Sequence, residues 1–278
     1  MAPFRCARMR RSRLTVFIPF LLAALLAGCA TPSEKAFRFA RQSGLDPEIV
    51  QGAGFRHVVF RNQVPAARVM RVYLEGDGTP YVDRLTVAAD PTPSNPLVLR
   101  LMAQDTEAAV YVGRPCYFGL ANDAGCSPSF WTLRRYSPEV ISSLVAVIRD
   151  QQAARNASAL ELVGHSGGGA LAILLARELP SVERIITLAG NLDTDAWVGY
   201  HRYEPLVGSV NPRSVQLPSA LADRTVHFVG GKDAVVPMSI SLAAARQIGG
   251  SVVTRPTYSH RCCWERDWPL VLGGRAPF

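Results

Sequence analysis

Lysine is almost absent from this 278-residue chain. Lys35 and Lys232 are the only two, and the other 28 of its 30 basic residues are arginine. No basic helix and no basic run interleaved with aromatics is present, which argues against a nucleic-acid surface. The formal net charge of +8 does not revive that reading. Five arginines (Arg5, Arg8, Arg10, Arg11 and Arg13) and no acid fall within residues 1–28, so the remainder carries 25 bases against 22 acids, a net +3. Internal repeats and low-complexity tracts are lacking too. The apolar run at residues 14–27 is short for a membrane span and is interrupted by Pro19. His260 beside Cys262 and Cys263 matches no usual zinc spacing, so neither a metal nor an organic cofactor is expected.

The arginine-rich start followed by residues 14–27 reads as a secretory signal segment. It ends in Leu26-Ala27-Gly28-Cys29, which resembles the lipobox of bacterial lipoproteins. The resemblance implies cleavage before Cys29 and a diacylglyceryl group on its thiol, hence a lipid anchor and a membrane partner in the cell envelope. Ala30 stands where an aspartate often retains such proteins at the inner membrane, which favours the outer membrane, facing the periplasm. The expected division is a signal peptide at 1–28, a tether and first surface helix at 29–50, and one α/β domain at 51–278. The 250 residues after the leader suit a single domain of that class. Cys116, Cys126, Cys262 and Cys263 remain for an oxidising compartment and allow three pairings. Cys116 with Cys126 is preferred because so short a loop closes easily. Cys262 and Cys263 then form a vicinal bond or stay as thiols.

Strand-like apolar runs alternate with helical patterns over most of the chain. Residues 55–60 and 68–74 read as early antiparallel strands. Asn95-Pro96 reads as a helix start with an Asn cap, and Ser137-Pro138-Glu139 as the cap of a longer helix. Buried strands are expected at 108–112, 182–188, 225–229 and 251–254, and a helix at 239–247. This alternation argues a mostly parallel central sheet covered by helices on both faces.

The most informative stretch is Leu162-Val163-Gly164-His165-Ser166-Gly167-Gly168-Gly169-Ala170. A buried strand runs into a Gly-rich turn and out into an apolar helix, the context a nucleophile elbow requires. The Gly167 amide then opens a helix, where a developing oxyanion is stabilised. Serine needs a base, and the base an orienting acid. Asp233 follows the strand at 225–229, and His260 follows the next strand. Both therefore sit in loops at carboxyl strand ends, where α/β sheets bind ligands. His57, His165, His201 and His227 are weaker bases by position, and Asp193 and Asp195 are the competing acids.

Serine, acid and histidine in this order resemble the α/β-hydrolase superfamily over nearly the whole mature chain. More narrowly, five stretches resemble a group of bacterial α/β-hydrolase lipoproteins of undefined substrate. They are Tyr73-Leu74-Glu75-Gly76-Asp77-Gly78, Asp90-Pro91-Thr92-Pro93, Arg114-Pro115-Cys116, the Ser166 turn and His260-Arg261-Cys262-Cys263-Trp264. The resemblance implies an α/β-hydrolase fold and a serine hydrolase acting on a small-molecule ester or acyl substrate. A peptidase or thioesterase with the same residues, or an inactive binding lipoprotein, are the alternatives. In that family the loop after the strand at 68–74 supplies a second oxyanion amide behind a His-Gly pair. Glu75-Gly76 stands there instead, which makes the Asp77 amide the candidate.

Residues 190–217 read as a possible small cap, with Trp197, Tyr200 and Tyr203 as candidate substrate contacts. Arg114 is a further candidate contact. Unless Arg114 neutralises them, Glu75 and Asp77 predict poor turnover of anionic substrates.

Overall fold

The computed structural model describes residues 30–65 and 68–273; Cys29 and the signal segment expected before it lie outside the described residues. Eight strands form one sheet in the order β1-β2-β4-β3-β5-β6-β7-β8 within the unit that begins at Pro32. They are β1 (Asp46–Gln51), β2 (Arg56–Arg61), β3 (Val69–Leu74), β4 (Ala109–Val112), β5 (Ala159–His165), β6 (Val182–Leu188), β7 (Thr225–Gly230) and β8 (Ser251–Arg255). From β4 to β8 every pairing is parallel. Only β1 with β2 and β2 with β4 are antiparallel. The expected mostly parallel sheet is present, with one change at its start. β2 and β3 are not partners, because β3 lies beyond β4 and runs parallel to both β4 and β5. The polar strand β1 sits at the sheet edge, where Pro47 removes no ladder bond from a central position.

Side-chain alternation along the strands divides the core in two. Met70, Val72 and Leu74 of β3 and Leu160 and Leu162 of β5 join one cluster. Tyr73 and Val163 point to the other. The first cluster is covered by α3 (Pro138–Ala154) and α4 (Gly167–Ala176). The second is covered by α1 (Pro32–Gln42), α2 (Leu97–Met102) and α8 (Trp264–Leu272), with Trp268 fully enclosed. The remaining helices are α5 (Thr194–His201), α6 (Ser219–Ala222) and α7 (Met238–Ile248). Ser137 accepts from the Val140 amide and starts α3 as its sequence implies. Asn95 does not cap α2. Its side-chain oxygen is engaged by Arg100, and the Val98 amide is met instead by the Glu75 carboxylate at 2.9 Å.

Cys116 and Cys126 are bonded, with Cα atoms 5.7 Å apart, and Cys262 is bonded to Cys263. Segment 190–217 contains α5 and a 3-10 turn at Pro212–Ser214. It reaches back to the 130s, where the Val210 amide donates to the Tyr136 carbonyl and Ser209 Oγ to that of Leu133.

What fixes the elbow is backbone packed on backbone. A methyl group on Gly168 would land on the Leu74 carbonyl, and one on Gly164 would land on the Gly168 backbone. Gly168→Ala should therefore cost about 3 kcal/mol of stability, since the neighbours are main chain and cannot yield cheaply. Gly199 lies in α5 with open space around it, so Gly199→Ala should be neutral or slightly stabilising. Urea unfolding of the two variants checks this; equal midpoints would contradict the packing argument.

Candidate active site

Ser166 occupies the junction between β5 and α4 with φ 55° and ψ −122°, a conformation rarely adopted by a residue with a side chain. Surrounding bonds hold it there. Its amide donates to the Leu188 carbonyl at 3.0 Å, and its carbonyl accepts from Gly169 and Asn191. The hydroxyl is thereby turned out above the carboxyl ends of β5 and β6.

His260 and Asp233, from the loops after β8 and β7, meet it there. Asp233 Oδ2 accepts from His260 Nδ1 at 2.9 Å, and Ser166 Oγ lies 3.0 Å from His260 Nε2. A carboxylate only accepts, so Nδ1 carries the proton and Nε2 is left to receive the serine hydroxyl. Asp233 is itself aimed by the amides of Val235 and Val236, each 2.8 Å from Oδ1. The structure thus brings the three expected side chains into one hydrogen-bonded line.

The competing residues are engaged elsewhere. Asp193 caps α5 through the Ala196 amide and pairs with Arg213 at 2.7 Å, and Asp195 is exposed. His57 lies between the Gly113 carbonyl and Ser143, His227 between Thr187 and the Gly249 carbonyl, and His201 on the Val235 carbonyl. His165 has a role that sequence reasoning missed. Its Nε2 meets the His260 carbonyl at 2.7 Å, and Trp264 Nε1 donates to the same oxygen at 3.0 Å. Two donors therefore hold the backbone of His260 while its side chain faces Ser166.

The loop after β3 passes beside the nucleophile. A Cβ placed on Gly76 would be 3.2 Å from the Ser166 Cβ. Among the described residues neither the Gly167 amide, at the first position of α4, nor the Asp77 amide donates to a protein acceptor. The Asp77 carboxylate lies against Gly167 and is enclosed by Arg114 at 2.7 Å, Arg135 at 2.9 Å and the Tyr136 hydroxyl. Burial alone would raise its pKa, but the two guanidinium groups and Tyr136 outweigh that and hold it below the ordinary carboxylate value. Arg114 is only 3% exposed and stacks 5.2 Å over the Tyr136 ring. It therefore braces this loop and presents no surface to a substrate, contrary to its expected role. With two arginines on its carboxylate, Asp77 no longer contributes to the expected penalty for anionic substrates.

Arg135 and Tyr136 carry no local motif, and only the long-range return of the 128–136 loop reveals them. Trp197 and Tyr203 pack edge to face, and Trp197 Nε1 donates to the Val235 carbonyl at 2.8 Å. Tyr200 and Tyr203 are 61% and 56% exposed, so this aromatic group flanks the Asp233 loop and stays open to solvent.

No family model matches the sequence, and no curated protein matches it. Solved structures do match. An α/β serine hydrolase homologue from Coxiella burnetii aligns with TM-score 0.51 and 16% identity, over 83% of this chain and 95% of that one. A serine hydrolase without a lid from Xanthomonas campestris gives 0.52 and 14%, over 83% and 91%. Est1E from Butyrivibrio proteoclasticus, bound to ferulic acid, gives 0.54 and 15%, over 82% and 96%. The chain has the α/β-hydrolase fold. In this α/β-hydrolase fold the serine lies at the strand-to-helix turn after β5, and the acid and histidine follow β7 and β8.

Buried titratable groups at the site and elsewhere in the core set an acid limit on stability. Desolvation above all pushes His165 down to about 3 and His57 down to about 4, and it lowers His227 as well. Burial pushes Glu75 the other way, up to about 7, against the amides of Val98 and Gly76. The histidines have folded pKa values below the unfolded 6.5, so their contribution is complete above pH 6.5 and drains as the pH falls. Glu75 has a folded value above its unfolded 4.5, so its contribution is complete below pH 4.5 and is lost as the pH rises through 7. Between 4.5 and 6.5 the histidines outnumber the carboxyl. Stability should then fall on acidification by about 1.4 kcal/mol per pH unit for each net proton, and Glu75→Gln should steepen the fall. Urea midpoints at pH 7 and pH 5 check the sign; a higher midpoint at pH 5 would contradict it.

Proposed function

We propose that this protein is a serine hydrolase that cleaves a carboxylic ester through an acyl-enzyme. The single observation that carries the reading is the line from Asp233 to His260 to Ser166, with contacts of 2.9 and 3.0 Å. Ser166 Oγ attacks the ester carbonyl while His260 Nε2 takes its proton. Asp233 accepts the Nδ1–H hydrogen bond, which keeps that proton on the ring, and stabilises the imidazolium. The carbonyl oxygen, now negative, is received by the amides of Gly167 and Asp77. As the tetrahedral intermediate collapses, the alkoxide leaves with the proton from Nε2, and the acyl group stays on Oγ. Water then repeats the sequence with His260 as base and releases the acid.

The half-buried Trp197 and the exposed Tyr200 and Tyr203 are assigned to an apolar part of the substrate, which their position beside the Asp233 loop supports. The fold neighbours support this reading, since one of them is described as a serine hydrolase without a lid and another carries ferulic acid. Cys29 is proposed to carry the lipid that tethers the enzyme in the bacterial envelope, on the strength of Leu26-Ala27-Gly28-Cys29. No helix among the described residues is long and apolar enough to cross a membrane.

A fluorophosphonate probe should label the wild-type protein on Ser166 and fail on Ser166→Ala. Turnover of a neutral p-nitrophenyl ester should fall about 10⁴-fold in Ser166→Ala and His260→Ala. A folded wild-type protein that takes no label would replace the enzyme with a binding lipoprotein. A panel on which amides or thioesters outrun esters would move the activity to a peptidase or thioesterase.

A further inference from the structure

The loop that leaves the Ser166 site after Gly78 carries a hairpin with no apolar cover. The Tyr81–Val87 bridge closes it, the Val82 amide donates to the Thr86 carbonyl at 3.0 Å, and Asp83 Oδ1 accepts from the amides of Leu85 and Thr86. All seven residues from 81 to 87 are exposed, with Val82 at 65% and Leu85 at 93%. The turn is tightly hydrogen-bonded, so its apolar side chains are presented in a defined shape. A polar turn would need nothing more, but four apolar residues on one exposed tip form a surface built for contact.

The base of this hairpin also holds the start of the described chain. Ser33 Oγ donates to Asp90 Oδ2 at 2.8 Å and reaches Thr92 Oγ1 at 3.3 Å. Asp90 in turn accepts from Thr92 and from the Gly119 amide, and Trp131 Nε1 donates to the Ala88 carbonyl at 3.1 Å. Ser33 is therefore pinned beside the root of the hairpin. Cys29 lies four residues earlier in the sequence, and a fully extended chain of that length spans about 14 Å. A lipid on Cys29 must enter its bilayer close to this root. From Pro32 onward α1 also exposes Lys35, Arg38 and Arg41, which suit anionic headgroups.

We propose that the hairpin of residues 81–87 is a membrane-contact element that seats the protein on the phospholipid bilayer holding its anchor. The inference rests on the lipid anchor at Cys29 and is independent of hydrolysis at Ser166. Tyr81, Val82, Leu85 and Val87 enter the interface.

Arg84 at the tip offers a direct test by trypsin. The protein purified from bacterial membranes, processed and acylated at Cys29, is reconstituted on vesicles of phosphatidylethanolamine and phosphatidylglycerol, floated, and digested, with cleavage after Arg84 scored by mass spectrometry against cleavage after Arg224. Arg224 is exposed and sits at the amino end of β7, whereas the hairpin follows the carboxyl end of β3. Cleavage at Arg84 relative to Arg224 should be at least tenfold slower in the wild type than in Val82→Ser/Leu85→Ser on the same vesicles. Ser166→Ala should behave as the wild type, which separates this result from any failure of the hydrolase reading. Equal ratios in the wild type and the double variant overturn the contact. So does protection that appears only when an envelope protein extract is added, which would make the partner a protein. A chain that does not float overturns both the anchor and the contact.

Discussion

At the Ser166 turn main chain packs directly on main chain. The Leu74 carbonyl at the end of β3 fills the space a Gly168 side chain would need, the Gly168 backbone does the same to Gly164, and Gly76 lies against Ser166. Because these contacts leave no slack, the end of β3 is fixed relative to the turn, and the loop that follows β3 is fixed with it. The positive φ of Ser166 is held against its own preference by this packing and by bonds from Leu188, Gly169 and Asn191. Strain of this kind costs on the order of 1–3 kcal/mol and persists only where the surroundings over-determine it.

A second layer of polar contacts extends that order outward. The Asp77 carboxylate joins Gly167 to Arg114, Arg135 and Tyr136, and so ties the two candidate oxyanion amides to one buried group. The same loop carries Glu75, whose carboxylate starts α2 through Val98. On the other side, His165 and Trp264 hold the His260 carbonyl. The nucleophile, the base and both amides are therefore each fixed by a neighbour that has no part in the proposed bond-making. Such preorganisation is what makes hydrogen bonds to a developing charge effective, since little reorganisation is left to accompany reaction.

Much of this was legible in the sequence because it is written locally. Strand, glycine turn and apolar helix occur consecutively around Ser166, and Asp233 and His260 each follow a recognisable strand. Ser137-Pro138 marked its helix for the same reason. What was not legible depends on contacts between distant segments. Two of the partners of Asp77 come from a loop nearly sixty residues on, and nothing about Arg135 or Tyr136 in isolation shows that they face it. Arg114 read as a substrate contact because its sequence neighbourhood does not show that it is enclosed. The order of β3 and β4 was hidden as well, since adjacency in the chain suggests adjacency in the sheet and here β4 intervenes. Asn95 looked like a cap by local rules, and a buried glutamate on another element had already satisfied the helix start.

The most direct measurement of the central claim is a crystal structure of the protein after reaction with a neutral alkyl phosphonate ester. The account predicts a bond from phosphorus to Ser166 Oγ, with the phosphoryl oxygen within hydrogen-bonding distance of the Gly167 and Asp77 amides and His260 Nε2 still facing Oγ. A phosphonate bound to another residue, or one on Ser166 whose phosphoryl oxygen points to solvent away from both amides, would contradict it.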